Sequence, residues 1–278
     1  MEKKISRNLN IITALFCEAK SLIEFYKLKK NIDIAAYDIF ENHDKTIKLI
    51  ISGIGPVNAA AATAFIFCYG GNNKNDLFLN IGIAGSYNLE FGKIYAVSKI
   101  INIDNGKKFY PPFLKFHKSL ENRLLNSYAK AQLNYQIADS MVDMEAAAIM
   151  EAGLRFVEIE QIQFLKIISD NKFKQVRDIN AEMVESCINN NLGKIVDFVS
   201  LFTSFFPDDN LQDIVGDLVL MLRNKLKISK SNEIKITNKI ARLLVFMEHQ
   251  NIADNLAKYS DFKQLQCYLD QELEQISL

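Results

Sequence analysis

The spacing of apolar residues along the first 200 positions predicts strands that alternate with helices. Short apolar runs occupy residues 10–16, 77–83 and 163–170, and runs of this length bounded by small or polar residues are typical of buried strands. From residue 18 to residue 30, apolar side chains instead recur at helical spacing. This alternation predicts the α/β class, with a mixed central β-sheet flanked by helices.

Further elements follow from the same patterns and from turn residues. Residues 35–40 and 47–51 are predicted to pair as a hairpin across a polar turn. The remaining predictions are a helix at 56–67 with Pro56 just inside its start, a strand at 94–103, a helix at 120–133 and one long amphipathic helix at 181–206.

The last part of the chain has a different pattern. The sequence Pro-Asp-Asp-Asn at 207–210 predicts a break, and helical periodicity then dominates residues 211–226, 236–250 and 262–273. We therefore predict two domains, an α/β domain at 1–206 and an all-helical C-terminal appendage at 207–278. The apolar faces of these helices need cover, so a chain that ends near Pro207 is expected to expose apolar surface and to associate.

Residues 140–149, Ser-Met-Val-Asp-Met-Glu-Ala-Ala-Ala-Ile, form the most informative stretch. The alanines predict a helix, and Ser140 and Asp143 are predicted to cap its start. Glu145 has a structural explanation, because a helix dipole favours a carboxylate in the first turn. It also has a functional one, because this stretch lies between apolar strands that end in small or polar residues.

Two of those strand ends carry candidate chemistry. Glu18 follows the first strand and Asp170 ends a later one, at the rim where α/β sheets bind their ligands. Each also has a structural alternative, as a first-turn glutamate and as a cap. Ala84 and Gly85 follow a third strand, and such small residues let a flat ligand approach the backbone.

At these stretches the sequence resembles the nucleoside phosphorylase and nucleosidase superfamily. The motifs are Val-Asp-Met-Glu-Ala-Ala-Ala at 142–148 and Ile-Ser-Asp at 168–170, preceded by a glycine turn at 82–85. The resemblance is closest to the methylthioadenosine/S-adenosylhomocysteine nucleosidase branch and covers roughly residues 9–200. It implies a nucleoside phosphorylase-like three-layer fold.

The resemblance also implies a reaction, hydrolysis of the N-glycosidic bond of an adenine (thio)nucleoside such as methylthioadenosine or S-adenosylhomocysteine, releasing adenine. Glu18 would activate water, and Asp170, next to Ser169, would protonate the purine. Glu145 would bind the ribose hydroxyls while Met144 packs on the sugar. Burial is expected to raise the pKa of Asp170 relative to that of Glu18. No cofactor and no metal are expected.

Three positions depart from the family pattern. Ile83 stands where many of these nucleosidases have a small hydroxyl residue, and Lys166 stands where they have an arginine. Between residues 105 and 140 no aromatic purine clamp is recognisable. These departures keep two alternatives open, a catalytically impaired nucleoside-binding or scaffold protein and a purine nucleoside phosphorylase. The glycine turns carry no arginine for phosphate, which favours water as the nucleophile.

Composition narrows the class of partner. Lysine plus arginine equal aspartate plus glutamate at 33 each, so no global field attracts nucleic acid or a membrane surface. The four cysteines are scattered without metal-type spacing, as in a protein of the reducing cytoplasm. We expect a small-molecule nucleoside substrate, a cytoplasmic location and a homodimer.

Overall fold

The computed structural model describes residues 7–112, 120–132, 137–173, 179–206, 210–226, 228–244 and 249–276 of the chain. The chain divides into two compact units, Met1–Phe206 and Pro207–Leu278. Each unit has hydrophobic clusters of its own. In the described part of the chain, no helix is both long and apolar enough to cross a membrane.

The first unit is built from ten strands and five α-helices in the residues that the structure describes. Its strands are β1 (Leu9–Thr13), β2 (Lys29–Lys30), β3 (Asp38–Glu41), β4 (Ile47–Ile51), β5 (Leu77–Ser86), β6 (Ile94–Asn102), β7 (Lys108–Phe109), β8 (Asn122–Ser127), β9 (Ser140–Asp143) and β10 (Ile162–Asp170). Its helices are α1 (Phe16–Phe25), α2 (Pro56–Tyr69), α3 (Ala146–Gly153), α4 (Ala181–Asn190) and α5 (Leu192–Ser204).

The strands form one mixed sheet centred on β1 and β5. Strand β1 pairs in parallel with β4 and β5, and β4 pairs with β3 as the predicted antiparallel hairpin, which confirms that prediction. Strand β5 also pairs with β10 and β9. Because β10 pairs with β6, β6 with β8 and β8 with β9, strands β5, β10, β6, β8 and β9 close into a ring.

Helices cover both faces of this sheet. Ile12, on one face of β1, belongs to a cluster with apolar residues of α2 and α3. Ile11 points to the opposite face, as strand geometry requires, and belongs to a cluster with residues of α1, α4 and α5. The sequence-based prediction of a mixed α/β sheet flanked by helices is therefore confirmed.

Two details of the sheet region were predicted wrongly. The helix predicted at 120–133 is replaced by strand β8, which pairs with β6 and β9 on its two sides, because sheet pairing outweighs a weak local helical pattern. Leu133 lies outside the described residues. Ser140 does not cap a helix, since it lies buried in β9.

The long helix predicted at 181–206 is two helices separated at Asn191. The Asn191 side-chain amide donates to the carbonyl oxygens of Gly92 at 2.8 Å and Cys187 at 2.9 Å. An asparagine side chain that bonds nearby backbone carbonyls offers the chain an alternative to the helical ladder. The apolar periodicity continues across the break, which is why the pattern alone predicts one helix.

The second unit consists of helices in its described residues. They are α6 (Asn210–Lys225), α7 (Lys230–Leu243), α8 (His249–Leu256) and α9 (Phe262–Ile276). The predicted helix at 236–250 is wrong in its end, because α7 ends at Leu243 and His249 begins α8. Leu218, Leu222 and Ile240 belong to one cluster whose described members all lie within this unit. Residues 245–248 of that predicted helix lie outside the described residues.

Candidate active site

Glu18 is held in the first turn of α1 by backbone amides from two strand ends. Its Oε2 accepts hydrogen bonds from the N–H groups of Ala14 at 2.8 Å and Leu15 at 2.9 Å, just after β1. Its Oε1 accepts from the N–H of Ile83 in β5, at 2.9 Å. The side chain is buried, and burial raises its pKa although the Ile83 amide and Lys166 oppose the rise. The structure thus holds this carboxylate between β1 and β5.

Glu145 lies directly before α3 and is also buried. Its Oε1 accepts a hydrogen bond of 2.7 Å from the N–H of Gly55, in the turn that precedes α2. Burial first, and then the charge of Asp143, raise the pKa of Glu145 to about 7. This carboxyl therefore titrates closer to neutral pH than an ordinary glutamate, so changes in its surroundings can change its charge.

Lys166 supplies the positive charge of this site. It lies in β10, and its Nζ is 2.8 Å from Oδ2 of Asp143, with both side chains almost completely buried. Burial lowers the pKa of Lys166, but the charges of Asp143, Glu145 and Glu18 together raise it above its ordinary value. Three carboxyl groups therefore share one ammonium.

Gly82 is the residue that lets these groups meet. It is the partner of Lys166 in the β5–β10 register. A Cβ at this position would lie 2.9 Å from Glu18 Oε1 and 3.6 Å from Lys166 Nζ, and the first distance is shorter than real Cβ contacts. A larger residue here would therefore displace the Glu18 carboxylate.

Asp170 lies at the end of β10, four positions beyond Lys166, and is buried. Four residues of a strand span roughly 13 Å, so Asp170 lies well away from Lys166 along the same strand. Its Oδ1 is 2.6 Å from the hydroxyl of Ser169, which donates to it. Asp170 pairs with Gly85 of β5 across a bulge, so it stays beside the same strand.

The other predicted site residues lie along the same strand ends. Ala84 and Gly85 are buried in β5, and Met144 is half-buried between Asp143 and Glu145. Ile83, where a hydroxyl residue was expected, contributes its backbone N–H to Glu18. The isoleucine side chain therefore leaves this hydrogen bond intact.

Sequence reasoning missed two contributors. It treated Asp143 only as a helix cap, and Asp143 does accept a hydrogen bond of 2.9 Å from the Ala146 N–H, but it is also the partner of Lys166. It also did not single out Gly55, whose N–H holds Glu145. Lys166 lies within an apolar run that was predicted to be a buried strand. A buried lysine needs a carboxylate partner, and this was the signal that could have identified Asp143.

The segment in which the sequence shows no recognisable aromatic purine clamp is residues 105–140. Within the described part of this segment, β8 and the start of β9 pair with each other. Residues 113–119 and 133–136 lie outside the described residues. No group of three or more His, Cys, Asp or Glu residues among those described is arranged to hold a metal ion.

Comparison with known proteins gives a likeness of fold. No protein-family model matches the sequence, and no curated protein matches it. The Helicobacter pylori 5′-methylthioadenosine/S-adenosylhomocysteine nucleosidase, solved with butyl-thio-DADMe-Immucillin-A, matches with a TM-score of 0.56 at 16% identity, over 69% of this chain and 98% of its own.

Two further solved structures agree. The corresponding Neisseria meningitidis nucleosidase, in complex with methylthio-immucillin-A, has a TM-score of 0.54 at 20% identity, over 66% of this chain and 94% of its own. Futalosine hydrolase of Helicobacter pylori has a TM-score of 0.56 at 16% identity, over 69% and 97%. The chain therefore has the fold of these nucleosidases, which confirms the family resemblance at the level of fold.

Proposed function

We propose that the protein is an N-ribohydrolase that cleaves an adenine (thio)nucleoside, such as methylthioadenosine or S-adenosylhomocysteine, and releases adenine. The observation that carries the proposal is the buried cluster of Glu18, Glu145 and Lys166, with Asp170 farther along β10. The neighbours named as nucleosidases for these two substrates support it.

The charge of the cluster suits this reaction. Cleavage of an N-glycosidic bond places positive charge on the ribose in the transition state, and fixed negative groups stabilise that charge. Asp143 and Lys166 neutralise one another, so Glu18 and Glu145 add negative charge whenever they are ionised. Their burial strengthens this effect, because little water screens it.

Glu145 is assigned to the ribose. The Gly55 N–H orients its carboxylate through Oε1, and a carboxylate has acceptor capacity for further hydrogen bonds. Ribose hydroxyls that donate to an ionised carboxylate form charge-assisted hydrogen bonds. Met144, next in the chain and half-buried, offers the sugar an apolar surface.

Glu18 is assigned to the nucleophile. Three backbone N–H groups fix its position, and its raised pKa makes it a better proton acceptor than an ordinary glutamate. A water hydrogen-bonded to this carboxylate would lose its proton as it attacks the ribose. The ammonium of Lys166 is already paired with Asp143, which favours water over phosphate as the nucleophile.

Asp170 is assigned to the departing base. Its carboxyl group would donate a proton to a purine ring nitrogen, and the Ser169 hydroxyl holds that carboxyl in place. Asp170→Asn keeps the shape and removes the acid, so the rate of adenine release should fall about a hundredfold or more. Asp197→Asn, at an exposed position of α5, is the matched control and should retain full activity.

The decisive assay follows release of the free purine base by the purified full chain. Methylthioadenosine, S-adenosylhomocysteine and futalosine are each incubated with and without phosphate, and the sugar product is identified. Free ribose-type sugar formed without phosphate supports a hydrolase. A sugar 1-phosphate would make the protein a phosphorylase, and nucleoside binding without turnover would make it a binding protein.

Futalosine is included because a futalosine hydrolase shares the fold as closely as the nucleosidases do.

The four cysteines form no disulfide bond, which fits our proposal of a cytoplasmic protein. We also propose that the protein acts as a homodimer, which size-exclusion chromatography with light scattering would test.

A further inference from the structure

The buried pair of Asp143 and Lys166 has no assigned part in the reaction described above. Both side chains are almost completely buried. A buried ion pair is weak evidence for stability, since its desolvation cost offsets its attraction. The position of the pair, rather than its contribution to stability, is therefore the property to explain.

Asp143 joins two elements through a single oxygen atom. Its Oδ2 is 2.8 Å from Lys166 Nζ in β10, and it accepts a hydrogen bond of 2.9 Å from the Ala146 N–H in the first turn of α3. Its other oxygen, Oδ1, is buried and has no hydrogen-bond partner among the described atoms. Asp143 thus ties Lys166 to the start of the helix that Glu145 precedes.

Lys166 in turn faces the two carboxylates assigned to the reaction. A Cβ on Gly82 would lie 2.9 Å from Glu18 Oε1 and 3.6 Å from Lys166 Nζ, so both atoms border the same small space. The charge of Lys166 acts on both Glu18 and Glu145. A lysine ammonium is a compact charge on a flexible stem and lacks the planar fork of arginine, so its direction depends on what holds it.

We propose that Asp143 is a positioning residue, which holds the Lys166 ammonium where it serves Glu18 and Glu145 together. This inference rests on the proposed hydrolase function. With Lys166 held in this way, both carboxylates can be ionised in one buried site. Glu145 is then available to the ribose and Glu18 to the attacking water. Without Asp143, the Lys166 ammonium would pair with either Glu18 or Glu145. It would then no longer stabilise both carboxylates at once.

The test compares variants that separate charge from position. Asp143→Asn removes the charge but retains an oxygen for the Ala146 N–H, so the helix cap survives. Lys166→Met removes the ammonium at similar length, and Lys166→Arg retains a cation. Asp76→Asn is the matched control, because Asp76 is buried and hydrogen-bonded to Asn8 and Asn10 before β5, away from the strand ends that carry the site.

Two readouts are taken on the full chain. Asp143→Asn should lower kcat about a hundredfold, as small displacements of reacting groups do, with little change in KM. Lys166→Arg should keep more activity than Lys166→Met, and Asp76→Asn should keep kcat. Carbon-13 NMR of labelled glutamate carboxyls, assigned with Glu145→Gln, should show the pKa of Glu145 below about 7 in Asp143→Asn and above it in Lys166→Met.

Each outcome decides something. If Asp143→Asn folds and keeps both kcat and the pKa of Glu145, Asp143 is only a helix cap and the proposal is wrong. If Asp76→Asn lowers kcat equally, the effect is one of general stability and the proposal is also wrong. If the unmodified protein cleaves no nucleoside, the proposed function fails, while the NMR titration still tests whether Asp143 and Lys166 control Glu145.

Discussion

At the scale of single residues, Glu145 combines a cost in stability with a use in function. Its pKa in the folded protein is raised to about 7. Between its ordinary value and that value the folded state binds the extra proton, so stability falls as pH rises through this interval and then stays level. The ionised form, which the proposed contact with ribose hydroxyls would use, is the form that burial disfavours.

Glu145→Gln should therefore raise the melting temperature by several degrees at pH 8 but not near pH 4.5. The amide oxygen can still accept the Gly55 N–H, so the local fold should persist. Adenine release should fall about a hundredfold because the charge is lost. Calorimetry at the two pH values, together with the activity assay, checks this, and an equal melting shift at both would contradict it.

The residue scale also shows what the sequence could and could not predict. Glu18 and Asp170 were identifiable because each follows or ends an apolar run, and strand ends meet at one edge of a sheet. Glu145 was identifiable from the motif at residues 142–148 that carries the family resemblance. Asp143 was recognised only as a cap, because its ion pair with Lys166 joins residues far apart in the chain. The raised pKa of Glu18 likewise depends on burial that only the folded chain reveals.

At the scale of elements, long apolar runs were predicted well and interrupted ones were not. Strands β5 and β10 were identifiable because they are long, apolar and almost entirely buried. Strand β8 was not, because only its pairing with β6 and β9 makes it a strand. Asn191 was also missed, since its role depends on Gly92, about one hundred residues away in sequence.

The Asn191 break supports a prediction about stability. Asn191→Ala removes two hydrogen bonds and leaves the carbonyl groups of Gly92 and Cys187 without this donor. Loss of one partner from a buried hydrogen bond costs about 1–3 kcal/mol. Urea unfolding should show this loss, whereas Asn190→Ala, at an exposed neighbouring position, should change stability little. Similar midpoints for the two variants would contradict the role assigned to Asn191.

At the scale of the whole molecule, each of the two units has hydrophobic clusters of its own. The described members of the clusters in the first unit all precede residue 207, and those of the second lie between residues 214 and 273. From the sequence alone, a chain without the tail is expected to expose apolar surface. The clusters lead to the opposite expectation, because each unit has a hydrophobic core of its own among the described residues.

A chain that ends after Phe206 should therefore keep its activity and its melting temperature. It should also elute from a size-exclusion column in the same oligomeric state as the full chain. Phe206 must be retained, because it packs against the hydrophobic cluster to which α1, α4 and α5 contribute residues. Size-exclusion chromatography, calorimetry and the adenine-release assay would compare this chain with the full one. Aggregation or a clear loss of melting temperature would restore the expectation drawn from the sequence.

The closed ring of five strands has a consequence for synthesis of the chain. Phe78 of β5 pairs with Ile162 of β10, so one edge of β5 has no partner until β10 has been made. At typical translation rates that interval lasts roughly 4–17 s. During it, an apolar strand with an open edge can pair with other chains, so β5 is a segment of the nascent protein that a chaperone would protect.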